Sequence, residues 1–241
     1  MQNIIMDIIF PQHVCSVCRQ PGRFGTRHPW CQKCEDTMKD LRHCSPICDK
    51  CGKYLEDCDV ICSDCLNEDP PFNIARSVGP YDEPYRIAIK VLKFMGRRYL
   101  SVQMGQMMAE VVIAEPRFWP LDLIIPVPAS RGHIEQRGFN QTELLACQIA
   151  KKTKLKTDAG ILQRVKETPA QRELSKSERE KNLLCAFEVK DKDKDKVCGK
   201  NILLVDDVYT TGSTCKECSK TLLEAGAARV SVITWATGHG F

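Results

Sequence analysis

Four Cys-x-x-Cys pairs within the first 65 residues constrain this chain more than any other feature of its sequence. Two sulfurs separated by two residues can bind one tetrahedral ion from a tight turn, and two such pairs complete a four-cysteine site. The spacing therefore predicts two structural zinc ions. A closed shell of four thiolates leaves no open position, so we expect these ions to stabilise the fold and to catalyse nothing. The pairs are Cys15 and Cys18, Cys31 and Cys34, Cys48 and Cys51, and Cys62 and Cys65.

Two other uses of these cysteines compete with zinc. An iron–sulfur cluster takes the same ligands, whereas a redox-active pair requires a thioredoxin-like βαβ context that the sequence lacks. We expect sequential pairing, in which the first pair shares an ion with the second and the third with the fourth. An interleaved arrangement is the alternative. The pair Cys215 and Cys218 lies on a predicted helix, and we expect it to be a packing feature.

Hydropathy indicates a cytoplasmic protein without membrane insertion. No stretch is long and apolar enough to span a bilayer. Residues 1–11 are partly apolar, but they lack a basic segment and contain Asp7, unlike a secretory signal. In a reducing compartment, paired cysteines bind metal more often than they form disulfides.

The composition changes near Pro70 and Pro71, which predicts two domains, 1–70 and 71–241. The first has short segments punctuated by cysteine, and the second alternates strand-like and helix-like stretches, as α/β proteins do. The run of alternating Lys and Asp at 190–196 predicts a solvated loop or hairpin tip. The predicted strands are 75–81, 121–125, 201–205 and 229–236; the predicted helices are 84–94, 99–115, 140–152 and one ending at Glu224.

Residues 202–214 have the most specific pattern of the second domain. A buried strand ends at Asp206 and Asp207, and a turn rich in hydroxyl groups then opens a helix. The backbone N–H groups of such a turn bind an anion, while carboxylates accept hydrogen bonds from sugar hydroxyls or help to bind Mg²⁺. The pattern fits a 5-phosphorylated ribose, whose phosphate would contact Thr210, Thr211, Gly212, Ser213 and Thr214. An ordinary strand–turn–helix with an N-cap at Thr214 is the alternative.

This segment resembles the phosphoribosyl pyrophosphate (PRPP) signature of type I phosphoribosyltransferases, with Tyr209 bulkier than is usual at its position. The whole chain is similar to the ComF (competence protein F) family. That resemblance implies an α/β fold, a type I phosphoribosyltransferase (Rossmann-like, mostly parallel sheet flanked by helices) with an N-terminal double zinc-ribbon module. Its further matching segments are Lys90-Val91-Leu92-Lys93-Phe94, Ile125-Pro126-Val127-Pro128-Ala129-Ser130-Arg131, Arg137-Gly138-Phe139-Asn140-Gln141, and Thr168, Gln171, Arg179, Asn182 and Phe187.

The resemblance also implies roles for individual residues. Ala129, Ser130 and Arg131 are expected to contact the pyrophosphate of PRPP, and the two aspartates its ribose and Mg²⁺. Lys93 and Arg137 are candidate contacts to the same anion, the alternative being solvated surface charges. Residues 151–182, with 10 Lys/Arg and 5 Asp/Glu, are expected to include a flap over the site.

The resemblance, taken with this pattern, implies two alternative functions. One is Mg²⁺-dependent transfer of a phosphoribosyl group from PRPP to an unknown acceptor. The other is a non-catalytic, PRPP-responsive accessory role in single-stranded DNA uptake during natural transformation, beside a competence helicase-like protein. Residues 1–70 contain 8 Lys/Arg and 11 Asp/Glu before the thiolate charges are counted, so any nucleic acid is expected to bind residues 71–241.

Overall fold

The computed structural model describes residues 14–23, 28–56, 60–166 and 185–240. The strands are β1 (Ala75–Pro80), β2 (Leu123–Pro126), β3 (Lys156–Thr157), β4 (Leu162–Arg164), β5 (Phe187–Val189), β6 (Asn201–Tyr209) and β7 (Arg229–Thr237). The helices are α1 (Gln32–Arg42), α2 (Ser63–Glu68), α3 (Tyr85–Phe94), α4 (Leu100–Ala114), α5 (Arg131–Arg137), α6 (Gln141–Thr153), α7 (Asp191–Val197) and α8 (Ser213–Glu224).

Five parallel strands form the central sheet, in the order β1-β7-β6-β2-β3. Side chains alternate between its faces, so Leu203 and Val205 of β6 belong to one core and Ile202 and Leu204 to the other. Helices α3, α4 and α6 cover the first face, and α8 covers the second. The predicted fold class is confirmed: a parallel sheet flanked by helices.

The cysteine-rich segment packs against both faces of this sheet. On the first face, the ring of Trp30 lies 6.1 Å from that of Trp235, and the Tyr85 hydroxyl donates a 2.7 Å hydrogen bond to the Met38 carbonyl. On the second face, Phe72 and the last four ligand cysteines share a core with β6 and α8. Two cores therefore cross the predicted boundary at residue 70, which stays a prediction.

Two predictions of local structure are wrong. Residues 190–196 form most of α7 instead of a loop, because Lys194–Asp191 and Lys196–Asp193 are ion pairs at 2.8 Å with helical spacing and Val197 is buried. Strand β6 does not end at the acids but continues to Tyr209, and Asp206 is still in register with Thr234 of β7.

The other elements predicted after residue 71 are confirmed within two residues at each end. The structure adds α5 and the short strands β3, β4 and β5, which the sequence pattern did not indicate. No described helix is long and apolar enough to cross a membrane. Four of the residues that carry the resemblance, Thr168, Gln171, Arg179 and Asn182, and part of the expected flap lie outside the described residues.

Candidate functional site

The eight predicted ligand cysteines form two clusters, each built from neighbouring pairs: Cys15, Cys18, Cys31 and Cys34, and Cys48, Cys51, Cys62 and Cys65. Within each cluster the sulfurs lie within 4.8 Å of one another. Zinc–sulfur bonds of about 2.3 Å place the ligands of a tetrahedral ion about 3.8 Å apart. The observed separations of 3.7 Å for Cys18–Cys31 and 3.6 Å for Cys51–Cys62 fit that geometry. Sequential pairing is confirmed, and both clusters are structural zinc sites.

The two zinc sites differ in their access to solvent. All four ligands of the second site are buried, whereas Cys18 of the first is exposed and Cys31 is half-buried. Backbone N–H groups point at sulfurs in both, from Val17 to Cys15 at 3.4 Å and from Cys62 to Cys48 at 3.3 Å. Such hydrogen bonds stabilise the thiolate form of the ligands.

The two loops expected to bind PRPP lie at one edge of the sheet. Strands β2 and β6 are parallel neighbours, so their carboxyl ends, which lead into 127–131 and 210–214, are adjacent. Pairing continues beyond β2, where the Val127 N–H donates to the Val205 carbonyl at 2.9 Å. In open parallel sheets, ligands bind at such a carboxyl edge.

The turn 210–214 is shaped to bind an anion. Gly212 has φ +76°, a left-handed conformation that favours glycine, and the next residue begins α8. The hydroxyl groups of Thr211 and Ser213 are 2.8 Å apart and both half-buried or buried. A depression at this point is lined by Asp206, Val208, Thr210, Thr211, Gly212, Ser213, Thr214 and Cys215. The N-terminus of a twelve-residue helix therefore opens into a recess with hydroxyl donors.

Asp207 is held by cationic and amide side chains on the first face of the sheet. The Lys93 ammonium lies 2.7 Å from Oδ2 of Asp207, and the Gln141 amide donates to the same oxygen at 2.6 Å. Arg137 in turn donates to the Gln141 side-chain oxygen at 3.1 Å. The structure thus brings the two predicted anion contacts, Lys93 and Arg137, to the acid pair.

Asp206 faces the opposite side, as alternation along a strand requires. The Cys215 thiol of α8 donates to its Oδ2 at 3.6 Å, and the Asp207 N–H donates to its Oδ1 at 2.8 Å. Burial, reinforced by the charge of Asp207, raises the pKa of Asp206 to about 7. The expected pair of carboxylates is therefore divided between two environments, one ion-paired and one buried with a raised pKa.

The loop 127–131 is anchored by the start of α6. The Val127 carbonyl accepts hydrogen bonds from the Thr142 hydroxyl at 2.6 Å and the Asn140 amide at 3.2 Å. Ser130 caps α5 by accepting from the His133 N–H at 3.3 Å, and the exposed Arg131 is the first residue of that helix. Ala129, Ser130 and Arg131 thus form the turn into α5 beside the site.

Sequence reasoning missed Gln141 and Thr142 as residues that organise the site. A signal was present: amide and hydroxyl side chains at the start of a predicted helix often hydrogen-bond the backbone of the preceding loop. A second depression lies on the Lys93 side of the edge, and it is lined by Lys93, Phe94, Gly96, Gln136 and Arg137.

Gly212 offers a test of this geometry. A methyl group at position 212 would lie 2.2 Å from the Tyr209 hydroxyl oxygen, in addition to the strain of a positive φ. We expect Gly212→Ala to lower the free energy of unfolding by about 3 kcal/mol or more. Gly199→Ala is the matched control, since Gly199 has φ +69° with no atom within 4 Å, and it should cost only about 1 kcal/mol. Equal losses in urea unfolding would show that the contact with Tyr209 is absent.

Comparisons with known proteins agree with this architecture. The double zinc ribbon domain family matches residues 5–66. Competence protein F of Haemophilus influenzae is 33% identical over 205 residues, which cover 84% of this chain and 87% of that protein. DNA utilization protein YhgH of Salmonella typhimurium is 33% identical over 225 residues, 91% of this chain and 94% of the relative.

Among solved structures, a glutamine PRPP amidotransferase from B. subtilis overlaps 55% of this chain and 25% of its own, at 23% identity and a TM-score of 0.37. The identity and mutual coverage shared with competence protein F decide the relationship. This chain belongs to the ComF (competence protein F) family.

Proposed function

We propose that this chain binds PRPP together with Mg²⁺ at the carboxyl edge of β2 and β6 and transfers its phosphoribosyl group to an acceptor. The observation that carries the proposal is the convergence at one edge of an anion-binding helix N-terminus, two acids at the end of β6, and a loop that ends in Arg131. Phosphate, sugar hydroxyls and pyrophosphate each find a complementary group there.

The residues divide the ligand between them. The N–H groups and hydroxyls of 210–214 bind the 5-phosphate, and Arg131 with the loop 127–131 meets the pyrophosphate. The carboxylates are hard oxygen ligands, which suit Mg²⁺ or the ribose hydroxyls. Asp207 can exchange its contact with Lys93 for either of them, which leaves the Lys93 ammonium available to the pyrophosphate. When bound, Mg²⁺ neutralises charge on the departing pyrophosphate.

In the reaction, the bond between C1 of the ribose and the pyrophosphate oxygen breaks, and its electron pair leaves with the pyrophosphate. A lone pair of the acceptor forms the new bond to C1, and the acceptor proton passes to solvent. The residues of this edge hold the ribose phosphate still and stabilise the leaving anion, which is where charge develops.

Calorimetric titration of PRPP with Mg²⁺ into the wild type and into Asp206→Asn/Asp207→Asn tests the site. We expect wild-type binding and at least about a tenfold loss in the double variant, because it removes both carboxylates. The control is Asp191→Asn/Asp195→Asn, two exposed acids of α7 with the same total charge change. Unchanged affinity in the first variant would contradict the site, and release of pyrophosphate in a screen of bases and amines would identify the acceptor.

The pKa of Asp206 gives the binding a pH dependence. Because its pKa is raised to about 7, the carboxyl is mostly neutral below that pH and becomes a ligand for Mg²⁺ as the pH rises. Affinity for PRPP with Mg²⁺ should therefore increase between about pH 6 and about pH 8. Asp206→Asn lacks the titrating carboxyl, so any change of affinity with pH that remains in this variant comes from the phosphates of the ligand. The same slope in wild type and variant would refute the role of Asp206.

The names of the relatives, competence protein F and DNA utilization protein, favour a second candidate function. In it, the chain is a non-catalytic PRPP-responsive accessory for uptake of single-stranded DNA, beside a helicase-like partner. Next to the site, Arg137 lies 5.1 Å over the ring of the exposed Phe94, and the exposed Arg19 contacts the exposed Met95, so this surface also includes a cation from residues 1–70. Cations and apolar side chains in one surface suit a phosphodiester strand with unstacked bases.

Titration of labelled single-stranded DNA at increasing salt tests this candidate. Binding carried by phosphate contacts should weaken at least about tenfold between 50 and 200 mM salt. At a fixed salt concentration, Arg19→Gln should bind the DNA more weakly than the wild type. Lys220→Gln, which replaces an exposed lysine on α8, should bind it as tightly as the wild type. Binding that is absent, or that does not depend on salt, would rule out direct contact with DNA.

A further inference from the structure

Tyr209, the last residue of β6, fills the space inside the turn 210–214. Its side chain is 2% exposed, and its ring and hydroxyl stand where a side chain of Gly212 would project. The recess that faces solvent is lined by Gly212 but not by Tyr209. The ring therefore supports the turn from the interior of the protein, opposite the surface that would receive a phosphate.

The other side of Tyr209 faces the second zinc site. Phe72 meets its ring edge-on, with centroids 6.1 Å apart at 82°. Tyr209, Phe72 and the four cysteines of the second site belong to one buried cluster. Burial raises the pKa of the Tyr209 hydroxyl far above its usual value, and the sulfurs of Cys51 and Cys215 are near enough to add to that effect.

Two more contacts join the second zinc site to the same turn. Lys216, in the first turn of α8, forms an ion pair with Glu68 at the end of α2, the helix that carries Cys65. The carbonyl of Tyr209 accepts hydrogen bonds from the Gly238 N–H at 2.9 Å and the Thr237 hydroxyl at 3.3 Å.

The segment that follows Gly238 then contacts residues around the second zinc site. The Gly240 N–H donates to the Tyr54 carbonyl at 2.8 Å, and a methyl group on Gly240 would lie 3.0 Å from Cβ of Cys62. Three routes therefore link this zinc site to the turn: the Tyr209 ring, the ion pair to α8, and the segment after β7.

The first zinc site has a different location. Cys15 and Cys34 belong to the core on the opposite face, with Trp30, Met38 and Trp235. On this face, Tyr85 corresponds to Tyr209. It is fully buried and packs on a glycine, since a methyl group on Gly79 would lie 2.1 Å from the Tyr85 ring. The chain thus contains two similarly buried tyrosines, of which Tyr209 supports the turn 210–214.

We propose that Tyr209 is a positioning residue through which the second zinc site, and not the first, holds residues 210–214 in their phosphate-binding conformation. The inference rests on the proposed PRPP site. Its physical reason is that N–H groups bind a phosphate only when they converge, and displacement of a binding group by about 1 Å is enough to cost orders of magnitude. The zinc–thiolate bonds hold the residues around the second zinc site in place. Those residues pack on the Tyr209 ring, and the ring in turn supports residues 210–214.

Truncation of the ring tests the role of Tyr209. Tyr209→Ala should weaken PRPP binding at least about tenfold and accelerate hydrogen exchange of the amides of 210–214. Tyr209→Phe keeps the ring and should restore both to near wild type. The control Tyr85→Ala removes an equally buried ring on the other face, and it should lower the melting temperature without changing either readout in the folded protein. Wild-type affinity and exchange in Tyr209→Ala would overturn the proposal.

Stepwise removal of zinc from the whole protein tests the role of the metal. The exposed Cys18 makes the first site the faster one to lose its ion to a zinc-selective chelator. After that phase, exchange at 210–214 and PRPP affinity should be unchanged, and both should be lost with the second ion. If the ions leave together, Cys18→Ser weakens the first site alone and separates them. Loss of affinity with the first ion, or its survival without the second, would overturn the proposal.

The exchange measurement keeps this inference separate from the proposed function. It needs no ligand, so a wild type that fails to bind PRPP would refute the proposed function while the exchange rates in Tyr209→Ala still decide whether the tyrosine positions the turn. Conversely, PRPP binding with no effect of Tyr209→Ala on exchange or affinity would refute the positioning role alone.

Discussion

Zinc–thiolate bonds are the interaction on which the rest of this structure depends. The cysteine-rich segment has little apolar periodicity, and each zinc site takes the place of a hydrophobic core for its half of the segment. Because one half packs on each face of the sheet, through Trp30 on one side and Phe72 on the other, metal binding also stabilises the parallel sheet and its helices. Zinc is therefore part of the folding free energy of the whole described chain and not of an appendage.

The acid pair of the candidate site is satisfied by other groups of the same chain. The Lys93 ammonium neutralises Asp207 and the Gln141 amide donates a hydrogen bond to it, whereas burial raises the pKa of Asp206 and so favours its neutral form. An unpaired buried carboxylate costs free energy, so these contacts stabilise the acid pair within the fold. Binding of PRPP and Mg²⁺ would exchange them for ligand contacts, which makes affinity a difference between two satisfied arrangements.

Sequence predicted what depends on spacing and local pattern. The cysteine pairs gave both zinc sites, and buried apolar runs gave the central strands. The helix α7 was missed because its alternation of Lys and Asp hides i,i+3 ion pairs and one apolar anchor, Val197.

The sequence analysis also did not predict that Asp206 and Asp207 face opposite sides of the sheet, and the reason is simpler. The two acids were predicted as the end of the strand that leads into a turn, whereas they lie within β6, where alternation sends Asp206 and Asp207 to opposite sides. Contacts such as Lys93–Asp207 and Tyr209–Gly212 depend on tertiary packing or exact backbone geometry, which no local pattern encodes.

The position of β1 has a consequence for the order in which the chain can fold. Its pairing partner in the sheet is β7, and the hydroxyls of Ser77 and Thr234, 157 positions apart, meet at 2.6 Å. Contacts between such distant segments form late, because both segments must be present before the pairing between them can stabilise either one. During synthesis from the N-terminus, the zinc ribbons can bind their ions early, but the surfaces of Trp30 and Tyr54 that receive Trp235 and His239 wait until β7 and the residues after it have emerged. Until β7 is made, the sheet cannot cover this aromatic surface of the ribbons.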